Sequence, residues 1–271
     1  MTDRSNDLTY SSISSFLPFT IEEDRLTVLG SVDSTNTYLK GLFTEYPDRS
    51  VAVADMQTGG RGRNGRSFYS PYGKGLYLSF LFKPEVSPSD VQNFTGYAAV
   101  AVCDGIESCC GIRPSIKWTN DILMNGLKVC GILTESAVSA SGNHIRYLIC
   151  GVGINVLQGP DDFPKDLSGI AGSVSMAGCS VTRSELAASV IGSVFNVYDA
   201  WLGKDISYVS RYRKDCITLG RDVRIVGMHG EETAFARDID ERFGLIVDYP
   251  DGSSGTVTFG DVSVRGLLGY N

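Results

Sequence analysis

Gln57-Thr58-Gly59-Gly60-Arg61-Gly62-Arg63-Asn64-Gly65-Arg66 places three guanidinium groups among four glycines. Glycine permits positive φ and close approach to the main chain, so backbone N–H groups can face an anion while the guanidiniums add charge and paired donors. The composition is that of an anion-binding loop. On its own it is equally compatible with a solvated Arg-Gly segment or a sequence-tolerant nucleic-acid contact. It is not a Walker A motif, because no Gly-Lys-Ser/Thr closes it.

Outward from this loop the chain alternates strand and helix patterns. Val51-Ala52-Val53-Ala54 is a short β-compatible run that leads into it, and residues 75–82 are nearly all apolar, as in a central strand buried on both faces. Upstream, Ser34 can cap a helix carrying Tyr38, Leu39, Leu42 and Phe43 at helical spacing. Ser87-Pro88-Ser89-Asp90 supplies an N-cap, a first-turn proline and an acid ahead of Val91, Phe94, Ala98, Val102 and Ile106, which predicts a long helix.

Residues 116–118, 129–133 and 147–156 read as strands, the last two joined through Ser139-Ala140-Ser141-Gly142-Asn143. Thr182-Arg183-Ser184-Glu185 is a capping box before the stripe Leu186, Val190, Val194, Val197 and Trp201. From Gly220 the texture changes to short alternating strands at 223–226, 233–236, 245–249, 256–259 and 262–264, with turns at His229-Gly230 and Pro250-Asp251-Gly252. The fold class expected is α+β: a mixed, mainly antiparallel sheet packed with helices, followed by a small β-barrel. The expected division is a tail over 1–20, a main domain over 21–217 and a C-terminal module over 218–271. No internal repeat is visible.

A chain of 271 residues with 42% hydrophobic content can bury one substantial core plus a smaller module. The net charge of −7 argues against non-specific nucleic-acid binding, which depends on neutralising phosphates with Lys and Arg. Seven cysteines without CxxC spacing suggest neither a disulfide framework nor a zinc site, but reduced and mostly buried thiols. No stretch approaches the ~20 apolar residues that cross a bilayer. The Ser/Thr-rich opening lacks the pattern of a secretory signal, so a cytoplasmic protein without a membrane partner is expected. The two histidines, His144 in a predicted hairpin turn and His229 in the C-terminal module, read as surface residues rather than catalytic bases.

Five segments in order give the chain a resemblance to the biotin protein ligases, strongest over residues 25–160. They are Ser34-Thr35-Asn36; Gly60-Arg61-Gly62-Arg63-Asn64-Gly65-Arg66 with Ser70-Pro71-Tyr72-Gly73; Lys117-Trp118-Thr119-Asn120-Asp121; Lys128-Val129-Cys130-Gly131-Ile132-Leu133-Thr134-Glu135; and Gly151-Val152-Gly153-Ile154-Asn155. The resemblance implies a class II synthetase-like catalytic domain and an SH3-like C-terminal barrel. It implies activation of biotin by ATP to biotinyl-5'-adenylate, then transfer to a lysine on the carrier domain of a biotin-dependent carboxylase. The opening 20 residues are too short for the helix-turn-helix repressor domain of some relatives, so this is expected to be a short form without DNA as a partner. Oligomeric state is not legible, and a homodimer is compatible with the sequence.

The resemblance also distributes roles. Ser34, Thr35 and Asn36 would meet the neutral ureido ring, which needs donors and acceptors together, and Gln57 would stand at the entrance of the biotin-binding loop. Gly60, Arg61, Gly62 and Arg63 would wrap the biotin head and the adenylate. Lys128 would reach the biotin carboxylate and the α-phosphate, with Gly131 letting the ligand lie against the backbone; without that context it reads as an ordinary strand-end lysine. Arg66, Phe68, Lys117, Trp118, Asn120 and Asn155 would face the nucleotide, although core packing explains Phe68 equally well. Asp121 would orient the incoming amine or help hold magnesium, or would simply form an Asx turn. Lys128, Arg63 and Asp121 are thus the catalytic candidates. Magnesium arrives with ATP rather than at a fixed protein site, and zinc, haem and nicotinamide are not expected. Thr119 stands where the family has proline, which bears on loop rigidity more than on chemistry. Two rivals remain: a lipoate or octanoate transferase of the same superfamily, and a non-enzymatic RNA-binding protein using the Arg-Gly loop.

Overall fold

The computed structural model describes residues 8–227, 230–258 and 263–266. In chain order the elements are α1 (Tyr10–Phe16), β1 (Leu26–Leu29), α2 (Thr35–Gly41), β2 (Ser50–Ala54), β3 (Gly75–Phe82), α3 (Phe94–Cys110), β4 (Ser115–Lys117), β5 (Asp121–Met124), β6 (Leu127–Val138), β7 (Ile145–Asn155), α4 (Arg183–Leu202) and α5 (Ser207–Asp215). They are followed by β8 (Arg221–Gly227), β9 (Gly230–Ile239), β10 (Leu245–Asp248), β11 (Ser254–Val257) and β12 (Ser263–Gly266).

The first seven strands form one sheet in the order β1-β2-β3-β7-β6-β5-β4. Only β1 and β2 pair in parallel; every other neighbour is antiparallel. The mixed, mainly antiparallel sheet packed with helices agrees with the fold expected from sequence. The β3 strand lies inside the sheet with all eight residues buried. Its alternation serves two cores: Leu76, Leu78, Phe80 and Phe82 join the main core with α3 and α4, and Phe82 stacks on Tyr198 at 4.0 Å. On the other face Leu81 packs with Leu39 of α2, Ala52, Tyr147 and Ile149.

Some boundaries differ from the sequence reading. The β1 and β5 strands are four residues each, too short for a periodicity to show, and β5 begins at Asp121 where a turn was one option. The α3 helix starts at Phe94, not after Ser87; Pro88–Asp90 form a separate 3-10 turn. Asn93 occupies the cap position, but its carboxamide oxygen accepts from Trp201 Nε1 at 2.8 Å and so is drawn toward α4. Thr182 caps α4 as expected, accepting from the Glu185 amide at 3.2 Å. The segment read as a tail contains α1, which Thr9 caps and whose Ile13 is fully buried. Seven residues are marginal as an isolated helix, so docking against the main core holds it.

The expectation of uniformly reduced thiols is corrected by a disulfide between Cys110, at the end of α3, and Cys179, ahead of α4. The two are 69 residues apart, so local spacing carries no trace of the contact. Cys103, Cys109, Cys130, Cys150 and Cys216 are free, and all but Cys109 are buried.

The C-terminal module is a five-stranded antiparallel sheet in the order β11-β10-β9-β8-β12. His229, Phe259 and Val262, which the sequence reading included in its turns and strands, lie outside the described residues. Phe243 seats the module on the main domain: a Cβ on Gly96 of α3 would lie 2.3 Å from its ring, and its carbonyl accepts from Trp118 Nε1 at 2.9 Å. Trp118 belongs to the turn after β4, so the module braces one wall of the site described next.

Candidate active site

Residues facing each other across antiparallel strands share a face. One such row runs Tyr77, Gly153, Gly131, Asp121, Lys117 across β3, β7, β6, β5 and β4. Two glycines in the middle leave a trough walled by Tyr77 on one side and by the Asp121 and Lys117 side chains on the other. Phe68 lies in it, because a Cβ on Gly153 would come within 2.7 Å of its ring and one on Gly131 within 3.3 Å. In the adjacent row Gly151 performs the same service for Asn36, whose Oδ1 would be 2.3 Å from an added Cβ. Glycine is required here for close approach, not for an unusual φ.

Above the trough is a cavity of about 400 Å³. Of the residues singled out from sequence, Ser34, Thr35, Asn36, Gln57, Arg61, Gly62, Arg63, Arg66, Phe68, Lys117, Trp118, Asn120, Asp121, Lys128 and Gly131 all line it. Two do not. Gly60 lies beneath the loop, where a Cβ would be 2.4 Å from the Phe68 carbonyl oxygen. Asn155 is buried outside the cavity, donating to the Gly172 carbonyl at 3.0 Å and accepting from Gln158 at 3.2 Å. The nucleotide contact expected of Asn155 thus has no counterpart among the residues that line this cavity, which β7 leaves beyond Gly153. Tyr77, Leu133, Gly151, Gly153 and Ile170 are wall residues that the sequence reading did not assign. The alternating glycines 151 and 153 in an apolar strand were a usable signal; Ile170 comes from a connection and had none.

One end of the cavity is neutral and polar. Ser34 stands at the N-cap position of α2 without a capping side-chain bond, contrary to expectation. Gln57 takes that role, its Oε1 accepting from the Thr35 amide at 2.9 Å and the Thr35 hydroxyl at 3.1 Å. Ser79 donates to Asn36 Oδ1 at 2.6 Å. The Arg-Gly loop forms the lid as a small hairpin, with Phe68 N donating to Gly60 O at 2.9 Å and Gly62 N to Arg66 O at 2.7 Å. Only its tip, Asn64 at φ 54° and Gly65 at φ 72°, is left-handed.

The other end is charged. Lys128 Nζ is 2.6 Å from Asp121 Oδ1. The segment around Ile170 clasps the Lys128 backbone through Lys128 N to Ile170 O and Gly172 N to Lys128 O, both 2.9 Å. Arg63 donates to Thr119 Oγ1 at 2.7 Å and Asn120 Oδ1 at 3.3 Å. Burial lowers the Arg63 guanidinium pKa from its ordinary value; the Asp121 carboxylate opposes this and neighbouring Arg66 adds to it. Thr119, in the place of proline, offers the hydroxyl that Arg63 uses. A cavity with neutral donors and acceptors at one end and both lysine and arginine cations at the other suits an elongated ligand with a polar head and an anionic tail.

Residues 28–155, which supply every wall of the cavity except Ile170, match the biotin/lipoate A/B protein ligase family. The family model thus accounts for the part of the chain that builds the cavity. The chain is similar to the bifunctional ligase/repressor BirA of Bacillus subtilis, 35% identical over 208 residues that make up 76% of this chain and 63% of that protein. It therefore spans less than two thirds of that relative's length. The biotin–(acetyl-CoA-carboxylase) ligase of Mycobacterium tuberculosis is 28% identical over 245 residues, 88% of each chain. A solved structure of the biotin protein ligase from Aquifex aeolicus in complex with biotin and ATP superposes with a TM-score of 0.75 at 28% identity, covering 89% of this chain and 99% of that one.

Proposed function

We propose that this chain is a biotin protein ligase. It condenses biotin with ATP, giving biotinyl-5'-adenylate and pyrophosphate, and passes the biotinyl group to a lysine on the carrier domain of a biotin-dependent carboxylase. The observation that carries this reading is one cavity that joins a ureido-compatible end to a cationic end holding Lys128. Relatives that bear the names of biotin ligases, one of them solved with biotin and ATP, support it.

In the first step a carboxylate oxygen attacks the α-phosphorus and pyrophosphate leaves. Two anions must approach, so fixed positive charge is the main requirement. Lys128 supplies a compact charge at that point, held by Asp121 before the ligands arrive. Ser34, Thr35, Asn36 and Gln57 hold the ureido ring, while Arg61, Gly62 and Arg63 close over the intermediate. Phe68, Arg66, Lys117, Trp118 and Asn120 face the nucleotide, which brings magnesium with it. In the second step the acceptor amine attacks the acyl carbon, AMP leaves and the amine loses a proton. Asp121 orients that amine.

Incubation with biotin, Mg-ATP and an isolated carrier domain is expected to add one biotinyl group to one lysine, read by mass spectrometry. Transfer of lipoate or octanoate instead would contradict the reading. Biotin with Mg-ATP is also expected to raise the Tm more than either alone, since the adenylate engages both ends of the cavity.

Arg63→Gly is expected to form adenylate and hold it poorly, because the loop loses its tether to Thr119 and Asn120 while Lys128 remains. Faster dissociation of the intermediate and labelling of a bystander protein without a carrier domain are the expected readouts. Unchanged dissociation with no extra labelling would refute the clamp.

A further inference from the structure

Behind the Arg-Gly loop is a second cavity of about 590 Å³. Residues 61–64 line both cavities, so the loop is a partition with open space on either side. A partition of this kind stays in place only if something ties it. Arg63 makes one tie, to the turn after β4. The other is Arg61, whose Nη2 is 2.9 Å from Glu135 Oε1. Glu135 sits on β6 beyond the stretch that β5 pairs, where the strand edge opens onto the second cavity.

The Glu135 carboxylate is itself fixed. Its Oε2 accepts from Asn36 Nδ2 at 2.9 Å, and Lys40 Nζ lies 4.0 Å from Oε1. Asn36 in turn is seated on Gly151, bonded through Nδ2 to the Leu133 carbonyl at 3.3 Å and through Oδ1 to Ser79. Glu135 is 18% exposed at its side chain against 46% for Arg61, so the carboxylate is the rigid partner and the guanidinium the one being placed. A continuous set of bonds thus runs from Ser79 through Asn36 and Glu135 to Arg61, from the floor of the first cavity to its lid.

We propose that Glu135 is a positioning residue, a latch that holds Arg61 and with it the Arg-Gly loop over the first cavity, and that couples the latch to the polar wall through Asn36. This deepens the ligase reading and rests on it for its catalytic consequence, though not for the latch itself. The carboxylate touches no reacting atom; it pre-forms the lid and fixes the orientation of the Asn36 amide, so its loss weakens substrate capture more than chemistry.

Two variants and two readouts test the proposal. Without ligands, tryptic cleavage after Arg61, Arg63 and Arg66 is expected to be about tenfold faster in Glu135→Ala than in wild type, the scale of one lost charge-assisted hydrogen bond. Glu135→Gln keeps one acceptor and is expected to fall between the two. In biotin-dependent pyrophosphate exchange, KM for biotin is expected to rise about tenfold in Glu135→Ala with kcat within about twofold. Cleavage at the wild-type rate in both variants overturns the latch. So does a fall in kcat at unchanged KM, which is the mark of a smaller folded fraction. Absence of exchange in wild type would overturn the ligase reading instead, and the ligand-free cleavage rates would still decide on the latch.

Discussion

Lys128→Ala is expected to slow adenylate formation by about 10² to 10³ while leaving the protein folded, since one well-placed charge is worth a few kcal/mol in a transition state that gathers two anions. The fold is expected to survive because the Lys128 side chain is one-third exposed and its ion-pair partner Asp121 one-quarter exposed, so water can solvate the carboxylate left behind. Main-chain bonds to Ile170 and Gly172 do not depend on the side chain and keep the strand in place. Exchange activity within threefold of wild type, in a variant with unchanged Tm, would remove Lys128 from the chemistry.

Asp55→Ala is expected to have the largest effect on stability, about 3 kcal/mol or more, because removing one partner of a buried ion pair leaves the other charge uncompensated. Arg183, the first residue of α4, is 0% exposed at its side chain and pairs with Asp55, which follows β2. The same guanidinium donates to the Gly75 carbonyl at 3.3 Å, and Asp55 accepts from the Gly73 amide at 3.2 Å. The pair therefore joins α4 to both strands that flank the Arg-Gly loop. Replacing both charges by apolar residues, Asp55→Leu with Arg183→Met, is expected to recover much of the loss, as paired replacement commonly does. Urea unfolding of the two variants checks this; a loss below about 1 kcal/mol in Asp55→Ala would mean that the guanidinium is satisfied without its carboxylate.

The same pair marks a limit of sequence reading. Arg183 looked like one letter of a capping box, and Thr182 does cap α4, yet the burial of Arg183 depends on Asp55, 128 residues away. Long apolar periodicities were legible: β3, β7, α4 and the texture change at Gly220 all stand where the pattern put them. The short strands β1 and β5 were not, because they are defined by their neighbours rather than by their own composition. At the site, the residues that were assigned a role from the sequence line one cavity, Gly60 and Asn155 excepted. What eluded the sequence was how these residues hold one another. Gln57 rather than Ser34 satisfies the start of α2, and Glu135 joins Asn36 to Arg61, because such bonds depend on which strands pair and in which register.

Exchange of labelled pyrophosphate into ATP, measured with and without biotin, probes substrate, nucleotide and chemistry together. The expected result is exchange that requires biotin and Mg-ATP and does not appear when lipoate or octanoate replaces biotin. A folded wild-type protein that shows no exchange above its biotin-free background, or that exchanges equally well with lipoate, would contradict it.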